Sequence, residues 1–176
     1  MRIRVIIKSV TAAFLFFLSG AVNGYASEGQ VSITGKLVTV GCTLVDGIEN
    51  FNVPLEPIAL NALPRSGSVA GKVSFTIGLN CYTGTKVSIK LTSSSKDSFG
   101  NGVLSNSAGE GLSTGIGIQV MDSSGAPVVF DKPFVIVNSA IKNINPLRFF
   151  AQYIRTHDAA SAGEIKATAD FTLSYD

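Results

Sequence analysis

The chain has 176 residues, 14 Lys and Arg against 12 Asp and Glu, 15% charged residues, 18 glycines and no tryptophan. That length allows one domain of ordinary size, and the low charge with abundant glycine describes a small, turn-rich and rather apolar β domain. Arg2, Arg4 and Lys8 form the one strong basic cluster; without them eleven basic residues face twelve acidic ones, a formal charge of about −1, and nucleic-acid binding loses its electrostatic footing.

Residues 1–26 read as a secretory signal. A basic start precedes the short apolar run Val10 to Leu18, and Gly24-Tyr25-Ala26 supplies small residues at the cleavage positions. The run falls short of the roughly 20 apolar residues that a membrane-spanning helix needs. The mature chain is expected to begin near Ser27, in an exported protein. Cys42 and Cys81, the only cysteines, both fall in the exported part. An even pair in an oxidising compartment reads as a disulfide.

An extension follows over residues 27–40, with the folded domain expected over 41–176. In the extension Val31, Ile33, Gly35 and Leu37 alternate with Ser32, Thr34 and Lys36, the pattern of a strand without a hairpin partner. Residues 54–66, with Pro54, Pro57 and Pro64, suit an irregular crossover or a short helical turn. Val73, Phe75, Ile77, Leu79 and Cys81 then alternate with polar or small residues as a half-buried strand, and Val87, Ile89 and Leu91 repeat the pattern. A loop is expected over Ser93 to Ser113. A strand at Ile116, Ile118 and Val120 turns at Asp122-Ser-Ser-Gly125 into Val128-Val-Phe130. After a second loop at Asn138 to Pro146, Leu147, Phe149, Ala151 and Tyr153 alternate along a strand whose other face is partly apolar.

The last predicted strand runs from Gly163 to Tyr175. Ile165, Ala167, Ala169, Phe171, Leu173 and Tyr175 face a core, and the residues between them face water. A domain normally shields such a strand on both sides, because an open ladder of N–H and C=O groups templates association. No closing segment follows it in the sequence, which raises the question of whether its second neighbour comes from this molecule at all. At least six strands with Gly, Ser and Asn-rich turns point to an all-β sandwich.

Two patterns suggest chemistry. Gly111-Leu-Ser113-Thr-Gly115 matches a hydrolase elbow, with His157 downstream, but that motif works on a strained strand-to-helix turn and the residues after it alternate as a strand. His157 is expected in an exposed turn. Asp97-Ser-Phe-Gly-Asn-Gly102 is rich in oxygen but lacks the spacing and closing Glu of a calcium loop. Neither a catalytic role nor a metal or cofactor is expected.

Taken together, the signal, the alternating extension leading to Gly41-Cys42, a second cysteine closing Phe75-Thr-Ile-Gly-Leu-Asn-Cys81, Gly115-Ile-Gly-Ile-Gln119, Phe149-Phe-Ala-Gln-Tyr153, and a final strand with Gly163 fourteenth from the end and Tyr175 penultimate resemble a pilin subunit of the chaperone–usher (type 1 fimbrial) family. Gln152 departs from the Arg often found between the Ala and Tyr of that segment. The resemblance implies an incomplete immunoglobulin-like sandwich lacking its last strand, completed by a donor strand from another subunit. It implies as partners a periplasmic chaperone, an outer-membrane usher and neighbouring pilin subunits, in a fimbrium at the bacterial surface that supports adhesion. Val31, Ile33, Gly35 and Leu37 would form the donor strand; Gly163, Phe171, Leu173 and Tyr175 would be read by chaperone and usher and line the acceptor groove. The alternative is a self-contained secreted sandwich that binds carbohydrate, for which exposed aromatic residues are thin: no Trp, and four Tyr with one in the signal.

Overall fold

The computed structural model describes residues 41–47 and 49–176. The signal at 1–26 and the extension at 27–40, with Val31, Ile33, Gly35 and Leu37, lie outside the described residues. Among the described residues, eight strands form two antiparallel sheets. The first sheet contains β1 (Cys42–Leu44), β2 (Val69–Cys81), β7 (Asn143–Arg155), β5 (Ile116–Met121) and β4 (Val103–Ser105), side by side in that order. The second contains β6 (Phe134–Val137), β3 (Val87–Thr92) and β8 (Asp170–Tyr175). The fold is the expected all-β sandwich.

The core follows the two-residue period. Ile77 and Leu79 of β2, Leu147, Phe149 and Ala151 of β7, and Ile118 and Val120 of β5 project from the first sheet onto Val87, Ile89 and Leu91 of β3. The rings of Phe75 and Phe149 stack at 5.5 Å between centroids. The long strand β2 slips register between Ala70 and Val73 against β7. Gly71 absorbs the slip with φ of +67°, and a Cβ there would lie 2.8 Å from the ring of Tyr153, so a side chain is excluded twice over.

Cys42 and Cys81 are directly opposite in the β1–β2 ladder and form a disulfide across 39 residues of sequence. On the chain-entropy model a loop of that length stabilises by roughly 4 kcal/mol. The backbone of Gly41 is tied at the same point, its N–H donating to Thr85 Oγ1 and its carbonyl accepting from Tyr82 N. The root of the extension is therefore welded to the sandwich.

Several boundaries differ from those expected. Residues 54–66 hold a short 3-10 turn at Leu60–Ala62, as anticipated. The stretch 93–113, read as loop, contains β4, and 143–146 belong to β7. Pro146 is tolerated there because β7 at that point has β2 on one side, whereas β5 pairs with β7 only from Phe150 to Arg155. Val128 to Phe130 do not form a strand; a single bridge, Met121 to Pro127, closes that turn. The final strand is also shorter than read. β8 begins at Asp170, and before it Glu164 and Lys166 take their hydrogen bonds from the loop at 106–113.

Candidate functional site

The site grows from the way β8 is paired. Lys86 and Asp176 exchange both backbone hydrogen bonds at 3.0 Å, and the register with β3 runs without a slip from Asp176's neighbour Tyr175 to Asp170. In an antiparallel ladder bonded pairs alternate with unbonded ones. The even residues Asp170, Thr172 and Ser174 therefore bond to β3, and the N–H and C=O of Phe171, Leu173 and Tyr175 point the other way.

The same parity extends backwards. Glu164 N–H donates to the Gly111 carbonyl and its carbonyl accepts from Ser113 N–H; Lys166 N–H donates to Asn106 Oδ1 at 2.7 Å and its carbonyl accepts from Ser107 N–H. Asn106 Nδ2 also donates to the carbonyls of Ser113 and Glu164, at 2.7 and 3.0 Å. The backbone of loop 107–113 together with this one side chain thus does for Glu164 and Lys166 what a neighbouring strand does for β8. Burial alternates residue by residue from Glu164 to Asp176, so the segment is extended throughout. Among the described residues, the backbone groups of Ile165, Ala167, Ala169, Phe171, Leu173 and Tyr175 form one continuous open edge.

Beside that edge lies a groove of about 1200 Å³. Its floor is the inner face of the first sheet, including Phe75, Ile77, Ile118 and Phe149, and one wall is Ile165 to Phe171. Phe51 crosses its mouth, with ring centroids 5.9 Å from Phe75 and 6.3 Å from Phe171, yet stays 40% exposed. Of the residues expected at the acceptor, Phe171 lines the groove. Leu173 and Tyr175 continue the same row, half-buried against the core, and burial holds the Tyr175 phenol above its usual pKa. Gly163 sits outside the groove: a Cβ there would lie 2.5 Å from Ser113 N, so its role here is to let the 111–113 backbone pass. Phe51 and Asn106 were not picked out from sequence. An aromatic between two asparagines just before the proline-rich crossover was the available signal for the first.

The tempting chemical motifs have structural uses. Ser113 is buried and its hydroxyl donates to the Ser161 carbonyl at 2.7 Å, in a loop that runs into β5; the strand-to-helix elbow is not formed. The Asp97 carboxylate accepts from Phe99 N–H and Ser105 Oγ, closing its own turn. His157 is exposed. Gln152, where Arg was the expectation from resemblance, is buried and donates to Gln119 Oε1 at 2.8 Å.

The family model described as "Fimbrial protein" matches residues 31–176. The chain belongs to the fimbrial protein family. This fimbrial subunit is 30% identical to the F17 fimbrial protein of Escherichia coli over 85% of its own length and 88% of the relative's. It is also 30% identical to a type-1 fimbrial protein A chain of Escherichia coli, over 95% and 91%. Among solved structures it resembles the P pilus rod subunit PapA, with TM-score 0.63 and 22% identity over 77% of this chain and 99% of that one. A subunit of a chaperone–usher pilus gives TM-score 0.61 at 20% identity, over 85% and 96%. The sandwich is thus of the immunoglobulin-like pilin type, and the subunit is a structural component of a fimbrium.

Proposed function

We propose that the subunit joins its neighbours by donor-strand exchange: residues 30–38 of one subunit lie in the groove of another as the missing strand, between β8 and the first sheet. The observation that carries this reading is the open edge from Ile165 to Tyr175 running along an apolar groove. Strand addition uses such an edge for affinity and alternate side chains for register. Burying Val31, Ile33 and Leu37 at about 1.5–3 kcal/mol each contributes roughly 5–9 kcal/mol, comparable with the whole stability of a small domain, about 5–15 kcal/mol.

The signal at 1–26 takes the chain through the periplasm. There a chaperone covers the groove, and an outer-membrane usher exchanges the chaperone for the next subunit on the way to the cell surface, where the fimbrium supports adhesion. The disulfide beside Gly41 puts a covalent link where tension from the donor segment enters the fold.

The test is the thermal unfolding of the chain from residue 39 onward, with and without a peptide of residues 27–38. A midpoint raised by tens of degrees on adding the peptide supports the reading. A high midpoint indifferent to this peptide and to strands of other subunits would favour the self-contained carbohydrate-binding sandwich.

A further inference from the structure

The Phe51 ring meets the wall and the floor of the groove at once, 6.3 Å from the Phe171 ring and 5.9 Å from the Phe75 ring between centroids. We propose that this ring is a displaceable lid. It closes the Phe171 end of the groove in the unassembled subunit and must withdraw before a strand can lie beside β8 there. The proposal rests on the donor-strand reading for what displaces the ring, and adds to it a control on entry to the same site.

The segment that carries the ring is held at its ends and not in its middle. Upstream, Cys42 to Leu44 are laddered to β2, and Val45 packs on Gly78 so closely that a Cβ there would lie 2.9 Å from it. Downstream, the Tyr153 hydroxyl donates to the carbonyls of Leu55 and Glu56 at 3.4 and 3.3 Å, and Val53 and Leu55 pack against the core. Between these anchors, among the described residues, the backbone of 49–54 makes no hydrogen bond. Glu49, Asn50 and Asn52 are exposed. Withdrawing Phe51 therefore breaks apolar contacts only and leaves no backbone group newly unpaired.

The space the ring fills is the space a strand needs. A strand added to β8 lies about 4.8 Å from it, and a core-facing residue opposite Phe171 brings its Cβ within about 5.5 Å of the Phe171 Cβ. Such a residue rests on Phe171 and over Phe75, the two rings that Phe51 contacts. Two side chains cannot share that corner at interior packing density. The ring is also a poor permanent wall: it stays 40% exposed, whereas Phe75 stacks at 5.5 Å on a fully buried Phe149. Its contacts shut the empty groove without making it part of the core.

For the test, the full-length protein, expressed for export and purified unassembled, is mixed with a peptide of residues 27–38. The chain has no tryptophan, so Phe51→Trp supplies a single reporter at the lid. Its emission should move to longer wavelength on peptide uptake, as the indole leaves two aromatic neighbours for water. A move to shorter wavelength, with the ring covered by the added strand, or no move at all, overturns the proposal. Phe51→Ala should take up peptide about three- to tenfold faster, the order expected when two aromatic contacts no longer have to break, with Phe51→Leu in between and release unchanged. Faster release with unchanged uptake would make Phe51 a clasp over the bound strand and overturns the lid. The donor-strand reading fails separately, if neither native nor variant chain takes up peptide. The lid is then decided by an apolar dye, anilinonaphthalene sulfonate, whose fluorescence with Phe51→Ala should exceed that with native chain by at least about twofold; equal fluorescence overturns it.

Discussion

β3 and β8 lie side by side in one sheet and share the same two-residue alternation, yet their inward faces differ. Val87 and Ile89 of β3 are fully covered and Leu91 nearly so, whereas opposite them Tyr175, Leu173 and Phe171 of β8 stay half-exposed. The difference is one of neighbours. Among the described residues, β3 is flanked by β6 and β8, and β8 by β3 alone. The apolar face of β3 stabilises the domain itself. On the proposed donor-strand reading, that of β8 would be fully covered only when another strand is added, and equal sequence patterns would serve two levels of organisation, the fold and the fibre.

The sharpest way to break this contrast is to truncate one residue on each strand. Ile89→Ala removes a side chain with no exposed surface and should destabilise the unassembled domain by about 2–5 kcal/mol. Leu173→Ala, directly opposite, should cost the unassembled domain under about 2 kcal/mol because part of that face is already wet. Measured by denaturant unfolding, Leu173→Ala should cost clearly more in the polymer than in the monomer, and Ile89→Ala about the same in both. Equal costs in both states for both variants would mean that β8 is an ordinary core strand.

A smaller effect separates β8 from the segment before it. Asn106→Ala deletes three hydrogen bonds that hold Glu164, Lys166 and the 113 carbonyl, a loss of about 1–3 kcal/mol. Hydrogen exchange should accelerate at the amides of Glu164 and Lys166 and stay unchanged at those of β3. Peptide uptake should weaken as the wall formed by Ile165, Ala167 and Ala169 loosens. Unchanged exchange at 164 and 166 would show that Gly163 and the 111–113 contact hold the segment without Asn106.

Which face a residue takes was legible in the sequence almost everywhere; which neighbour its backbone bonds was not. Alternation placed Ile165 to Tyr175 on one face correctly because the side-chain period belongs to the strand alone. It could not show that even positions up to Lys166 bond to a loop and those from Asp170 to a strand, since an Asn side chain can replace a ladder without disturbing the period. For the same reason β4 was hidden in a Ser and Gly-rich stretch: it is three residues long and bonded on one side to β5. The disulfide was legible because two cysteines allow one pairing. The groove itself was half legible. Phe171, Leu173 and Tyr175 announced an unpartnered strand, whereas Phe51 and Phe75 came to its mouth and floor through tertiary packing.

The smallest expected effect tests the far end of the β8 row. Burial raises the pKa of Tyr175 above its ordinary value of 10.0, so the folded state holds the phenolic proton more tightly than the unfolded chain. The resulting stability is fully present below pH 10 and is lost as pH rises through the raised value, because the unfolded state ionises first. Tyr153 has the same sign, through burial and then the nearby Glu56 carboxylate, but it belongs to β7 and already packs against the core. A donor strand reaching as far as Tyr175 would bury it further, and on that reading the alkaline loss of stability should be steeper in the polymer than in the monomer. Tyr175→Phe should remove that excess and leave the contribution of Tyr153. If Tyr175→Phe polymer and native polymer lose stability in parallel between pH 10 and higher values, as followed by denaturant midpoint, Tyr175 is no more covered in the fibre than in the free subunit, and the occupied part of the edge ends before it.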